Sequence, residues 1–141
     1  VSSRINRRWL QDFLSGRTRA GWIEANECVG RLSEALERED WNAASRQLRE
    51  EMAVRRDITP DALIPITETL IDQAEAAGCG ARFAGAGGGG ALWALGEPER
   101  IAELRRTWGN TLAPVSRAGI LDCEVDALGV GRVEGQGREG I

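Results

Sequence analysis

Apolar residues recur at helical spacing through the first half of the chain and fall into short runs and alternation in the second. Ile5, Trp9 and Phe13 stand at i, i+4 and i+8, with Leu10 and Leu14 beside them and Gly16 closing the run. That spacing predicts a first helix. A second stripe, Trp22, Ala25, Val29, Leu32 and Leu36, places five apolar side chains on one face. Asp40 is the expected N-cap of a third helix carrying Trp41, Ala44, Leu48 and Met52, with the charges between Arg46 and Arg56 read as a solvated face. Thr59 and Pro60 supply an N-cap and a first helical position for a fourth segment, Leu63, Ile66, Leu70, Ala74 and Ala77, which stops at Gly78. Pro65 lacks the N–H that segment needs, so a kink or a restart is expected there.

Beyond Gly78 the period changes. Residues 81–84 are short and bounded by glycine, as in a strand, and residues 91–95 are wholly apolar, as in a buried strand. Pro98 opens a helix carrying Ile101, Leu104 and Trp108, with Gly109 just past its expected end. Residues 112–116 contain Pro114 and read as a weak edge strand. Residues 120–126 alternate, with Leu121, Cys123 and Val125 on one side and Asp122, Glu124 and Asp126 on the other, as in a half-buried strand. The order predicts an α+β domain over residues 1–126, a small, mostly antiparallel sheet backed by helices, several of them N-terminal to the glycine-rich strand–loop–strand. A glycine-rich tail over residues 127–141 is expected to be frayed.

The two central strands are joined by Gly85-Ala86-Gly87-Gly88-Gly89-Gly90. Bare backbone of this kind is costly in conformational entropy and is used for a tight turn or for close approach to a ligand, often an anion. Gly85, Gly87 and Gly90 satisfy GxGxxG, but the dinucleotide fingerprint needs a helix after the loop, and a strand-like run follows here. A Walker loop needs GK[ST], which this chain cannot supply. A glycine-rich hairpin with no ligand is the plainer alternative, although four successive glycines exceed what a hairpin needs.

Composition narrows the chemistry. The chain has 141 residues, enough for one domain, and is 42% hydrophobic. All 18 cations are Arg, so Schiff bases and a phosphate-loop lysine are excluded. Residues 1–59 hold 11 Arg against 10 acids and residues 60–141 hold 7 against 12, giving no basic face for nucleic acid. No apolar run is long enough to span a membrane. Three scattered cysteines, no CxxC and no His argue against a metal site and fit a reduced, cytoplasmic setting, with the thiols packed as small hydrophobes. No apolar leader follows Val1, and the absence of an initiating Met suggests a fragment or a processed product. Glu97, Glu99 and Glu103 read as charges that suit a helix N-terminus rather than as catalytic groups.

The stretch from Gly80 through Arg82 and Phe83 to Gly90 resembles the C-terminal glycine-rich motif of the GHMP kinase family, which includes the galactokinases, homoserine kinases, mevalonate kinases and phosphomevalonate kinases. The preceding helix with its glycine-rich end and the helix after Pro98 are similar too, so the resemblance spans about residues 20–130. Asp40-Trp41 through Arg55-Arg56 and Ile58-Thr59-Pro60 look most like the bacterial branch acting on heptose phosphates, where a basic residue often stands at the position of Arg82. The resemblance implies a ferredoxin-like C-terminal domain, with residues 85–90 shaping a substrate and phosphate cleft and Arg82 as a possible substrate contact.

It also implies ATP and Mg2+, bound mainly by an N-terminal domain whose Pro-x-x-x-Gly-Leu-Gly-Ser-Ser-Ala motif does not occur here. The expected function is the C-terminal half of an ATP-dependent kinase for a sugar or sugar phosphate. It would be inactive as this fragment, with no catalytic residue of its own, and its expected partners are the missing N-terminal domain, the small-molecule substrate and a second copy in a homodimer. The alternative is a stand-alone ligand-binding or dimerisation module of ferredoxin-like fold.

Overall fold

In a computed structural model, residues 2–123 and 129 are described. Helix α1 spans Ser2–Leu14, α2 Arg19–Glu37 and α3 Trp41–Ile58; a 3-10 turn occupies Pro60–Ala62, and α4 runs over Pro65–Ala76. Strands β1 (Gly80–Phe83) and β2 (Leu92–Leu95) pair antiparallel, and α5 covers Pro98–Leu112. The architecture is α+β, a small antiparallel sheet packed on helices, and the order of its first seven elements is the expected one. No helix among the described residues is long and apolar enough to cross a membrane.

The helix boundaries follow local chemistry. Asp40 caps α3 by accepting the Ala43 N–H at 2.9 Å. Thr59 is not a side-chain cap; its hydroxyl donates back to the Arg55 carbonyl and accepts from Arg55 Nε. Only the 3-10 turn follows Pro60, and α4 restarts with Pro65 at its first position, where a missing N–H costs no helical bond. Thr67 secures that restart: its hydroxyl accepts the Ile64 N–H at 3.1 Å. At the other end Gly78 takes φ +74°, with Gly78 N–H bonded to Glu75 O and Cys79 N–H to Ala74 O. This glycine-terminated closure turns the chain directly into β1.

The core lies where α3, α4 and α5 meet the sheet. Met52, Ala62, Ile71, Ala74, Cys79, Ala81, Phe83 and Leu104 are buried together. Burying Phe83 or Ile71 contributes about 2–3 kcal/mol each. Arg56 of α3 fastens α4 by reaching Glu68, Asp72 and Glu75 at 2.7, 3.0 and 3.0 Å. Trp108 of α5 donates to the Leu70 carbonyl, and Thr111 bonds Gln73, so α5 is tied to α4.

Several expectations are corrected. Arg55 and Glu51 are buried within the stretch read as a solvated face of α3. On α2 the buried positions are Ala25, Cys28 and Ala35, while Val29 and Leu36 of the expected stripe are exposed. The cause is the close approach of α3: a Cβ on Gly21 would stand 2.4 Å from Ile58 Cγ2, so small residues line that seam and bulky ones flank it. On α1, Ile5 is buried and Trp9 half-buried, but Phe13 and Leu14 are exposed. β2 is not a buried strand, since Trp93 is 42% exposed. Residues 112–116 form no strand; α5 continues through Gly109 to Leu112 and turns follow. Residues 120–123 are not in a strand, and the remainder of that expected strand and all of the tail but Gly129 lie outside the described residues.

Candidate functional site

The loop at residues 85–90 grows directly out of the hairpin. Its register pairs Gly80 with Leu95, Ala81 with Ala94, Arg82 with Trp93 and Phe83 with Leu92. The Ala84 N–H extends the ladder by one bond, to Ala91 O at 2.8 Å. All five loop glycines then lie at positive φ: +63° at Gly85, +75° at Gly87, +74° at Gly88, +114° at Gly89 and +81° at Gly90. Ala86 does not share that conformation, and it is the one loop position with a side chain. The composition of the loop is thus set by its backbone, because left-handed φ penalises any Cβ.

The loop rests on the 3-10 turn. A Cβ on Gly87 would stand 2.4 Å from the Ala62 carbonyl oxygen, and Gly88 donates its N–H to that same oxygen at 2.7 Å. Gly89 passes near Ile64, whereas Gly85 and Gly90 face open space. Gly88 is therefore spent on anchoring and cannot offer its amide to a ligand. The N–H groups of Gly85, Ala86, Gly87, Gly89 and Gly90 have no partner among the described residues. Successive amides released by left-handed backbone form a concavity suited to anionic oxygens. No charged side chain lies within the loop.

Arg82 is largely committed to the fold. Its Nε donates to Glu51 Oε2 at 3.0 Å and its Nη1 to the Phe83 carbonyl at 3.0 Å. With Cys28, Val29, Leu32, Gln47, Leu48, Glu51 and Trp93 it lines a cleft of about 210 Å³ between α2, α3 and the hairpin. Glu51 is buried and also faces Arg55 Nη1 at 3.6 Å. The Arg55 guanidinium sits 4.6 Å from the Trp9 ring, 4.7 Å from Trp22 and 5.0 Å from Phe83. Burial pulls Arg55 below the ordinary arginine range, opposed by the Glu51 charge and reinforced by Arg82. It nevertheless remains a cation, held by aromatic faces and one carboxylate.

This network was not legible as a site in the sequence. Glu51 and Arg55 are spaced i, i+4 like any surface pair, and the tryptophans that enclose Arg55 come from two other helices. Ala62, which seats the loop, carries no chemical signal at all. Among the described residues no group of three or more His, Cys, Asp or Glu is arranged to hold a metal. Glu97 accepts a bond from Asn42, and Glu99 lies in the first turn of α5, so neither converges on the loop.

Fold and loop together define an α+β domain in which a glycine loop, seated on a 3-10 turn, joins two antiparallel strands. A family model described as GHMP kinases C terminal matches residues 32–113. That span runs from α2 to the residue after α5, takes in the whole loop and covers more than half of the chain. The chain belongs to the GHMP kinases, through their C-terminal domain. No curated protein and no solved structure matches it.

Proposed function

We propose that this chain serves as the C-terminal half of an ATP-dependent small-molecule kinase, with the loop at residues 85–90 forming one wall of the phosphate and substrate cleft. The observation that carries the reading is the loop itself: five positive-φ glycines, pinned at Gly88, with five neighbouring amides left free. Phosphoryl transfer asks a protein chiefly for positioning and charge stabilisation. Backbone amides provide both without the bulk of side chains.

The amides of Gly85, Gly87, Gly89 and Gly90 fit phosphate oxygens, and these would be the residues that touch the nucleotide or the phosphorylated acceptor. ATP supplies the transferable phosphoryl group when bound; the loop orients it and excludes water from it. Among the described residues no group of three or more His, Cys, Asp or Glu could hold a metal ion, and Mg2+ would be held mainly by the N-terminal domain. The acceptor is proposed to be a sugar or sugar phosphate, as in the heptose-phosphate branch. The remaining nucleotide contacts and the base would come from an N-terminal kinase domain. Arg82 could reach a substrate only through the guanidinium nitrogen left over from its bonds to Glu51 and Phe83, so it is proposed as a secondary contact.

The test is Gly89→Val in the protein joined to its N-terminal kinase domain. Gly89 has no atom closer than 3.8 Å to a Cβ, so only the strain of its φ of +114° opposes a side chain there, whereas a side chain on Gly87 would also meet the Ala62 carbonyl. A fall in kcat of about a hundredfold, a loss of transition-state stabilisation of roughly 3 kcal/mol, is expected. An unchanged kcat with the fold retained overturns the reading.

A further inference from the structure

Arg55 occupies a place that stability alone does not explain. It is 3% exposed, in a box whose aromatic walls come from α1, α2 and β1. An apolar side chain of similar volume would fill that box without the cost of burying a charge, and such replacements of buried ion pairs are often neutral or stabilising. What an apolar residue could not do is bond in two directions at once. Arg55 Nε donates to Thr59 Oγ1 at 2.9 Å. The Thr59 carbonyl accepts the Ala62 N–H at 2.9 Å, and the Ala62 carbonyl accepts the Gly88 N–H at 2.7 Å. Three hydrogen bonds thus lead from the buried cation to the anchored amide of the loop. On its other side Arg55 Nη1 faces Glu51, Glu51 accepts from Arg82 Nε, and Arg82 Nη1 donates to the carbonyl of Phe83, the last residue of β1.

We infer that Arg55 is a positioning residue for the loop at residues 85–90, gripping its seat through Thr59 and its entry through Glu51 and Arg82. Its effect on turnover rests on the reading of that loop as a wall of the phosphate cleft; its effect on the order of the loop does not. The guanidinium suits the task because its donors are fixed in one plane, whereas an ammonium is a point charge on a flexible stem and cannot serve Thr59 and Glu51 together. The aromatic faces hold that plane in place. Thr59 is the second fixed point. It is 1% exposed, and its hydroxyl accepts from Arg55 Nε and donates to the Arg55 carbonyl, which locks the residue that opens the 3-10 turn. The loop, with Ala86 as its one side chain, has little of its own to brace it, so its order must come from what it sits on. Trp9 and Trp22 lie outside residues 32–113, so the box is completed by residues ahead of the span that matches the family.

The experiment reads hydrogen exchange at the Gly88 amide of the 141-residue chain against the Cys79 amide, which bonds Ala74 O and reports the core. Thr59→Val removes the hydroxyl at nearly constant volume and should speed Gly88 exchange about tenfold relative to Cys79. Thr59→Ser keeps the hydroxyl and should restore the slow exchange. Arg55→Lys keeps the charge and much of the bulk without the fork, and should behave as Thr59→Val does. In the protein joined to its N-terminal kinase domain, Thr59→Val should lower kcat about tenfold with KM within about twofold of the parent, and Thr59→Ser should recover most of the loss. Gly88 exchange that keeps its ratio to Cys79 in either folded variant, or a Thr59→Ser chain that behaves like Thr59→Val, overturns the inference. So does an unchanged kcat in Thr59→Val where Gly89→Val is impaired. If Gly89→Val also keeps its kcat, the cleft reading falls, and the exchange ratios alone decide whether Arg55 positions the loop.

Discussion

Gly87 and Gly90 share a left-handed backbone but not a neighbourhood. At Gly90 an added methyl meets nothing within 4 Å, so Gly90→Ala costs only the strain of a positive φ, about 1–2 kcal/mol. At Gly87 the same methyl meets a backbone carbonyl at 2.4 Å, and that carbonyl also holds the Gly88 amide. Gly87→Ala must therefore displace the loop from its seat as well as strain it. Urea unfolding is expected to show a larger loss for Gly87→Ala than for Gly90→Ala, by about 1 kcal/mol or more. Equal losses would mean that the Ala62 contact does not hold the loop.

At the scale of elements, the hinge between α2 and α3 is closed by a residue unsuited to it. Glu39 has φ +55°, with its N–H on Leu36 O and the Asp40 N–H on Ala35 O. That is the helix-ending bond pattern that glycine fills without strain. Glu39→Gly is expected to stabilise the chain by about 1 kcal/mol, and Gly30→Ala, inside α2 and facing open space, by a similar amount. Thermal unfolding should place both variants about 3 °C above the parent, and together they should be additive, since about 13 Å of helix separates the two positions. A lowered midpoint for Glu39→Gly would show that its side chain makes a contact outweighing the strain.

The elements also show how far a pattern reaches. Period and caps placed α1, α3, the restart at Pro65 and the opening of α5 correctly, because a cap or a proline acts within one turn of itself. The burial of β2 was misread because an apolar run reports affinity for a core, not the number of strands available to cover it. The end of α5 was misread because Gly109 weakens a helix by only about 1 kcal/mol. The bonds from Trp108 and Thr111 to α4 readily offset that.

For the whole molecule, the buried thiols link stability to pH. Burial raises both Cys28 and Cys79 above the usual thiol value, against the lowering effect of Arg31 on the first and of Arg100 and Arg49 on the second. Below pH 9.0 folded and unfolded chains both keep these protons, and the stabilisation is fully present. Above it the unfolded chain releases protons that the folded chain retains, so stability falls towards the raised native values. Urea midpoints measured from pH 8 to pH 10.5 should decline, and the decline should shrink in Cys28→Ala and Cys79→Ala. Cys123 is exposed and should react with a thiol reagent in the folded chain, where the other two are protected.

The family, the α+β class and the identity of the glycine loop were determined by the sequence, since each rests on local signals: helical period, caps and a run of residues without Cβ. Which glycine bears the load was decided only in three dimensions. Nothing in Gly85-Ala86-Gly87-Gly88-Gly89-Gly90 distinguishes Gly87 until the Ala62 carbonyl arrives from a turn more than twenty residues away. Arg55 likewise became a buried cation only when Trp9, Trp22 and Phe83 closed around it from three separate elements. Backbone conformation is written along the chain; burial and the commitment of a polar group depend on neighbours that only the folded chain brings together.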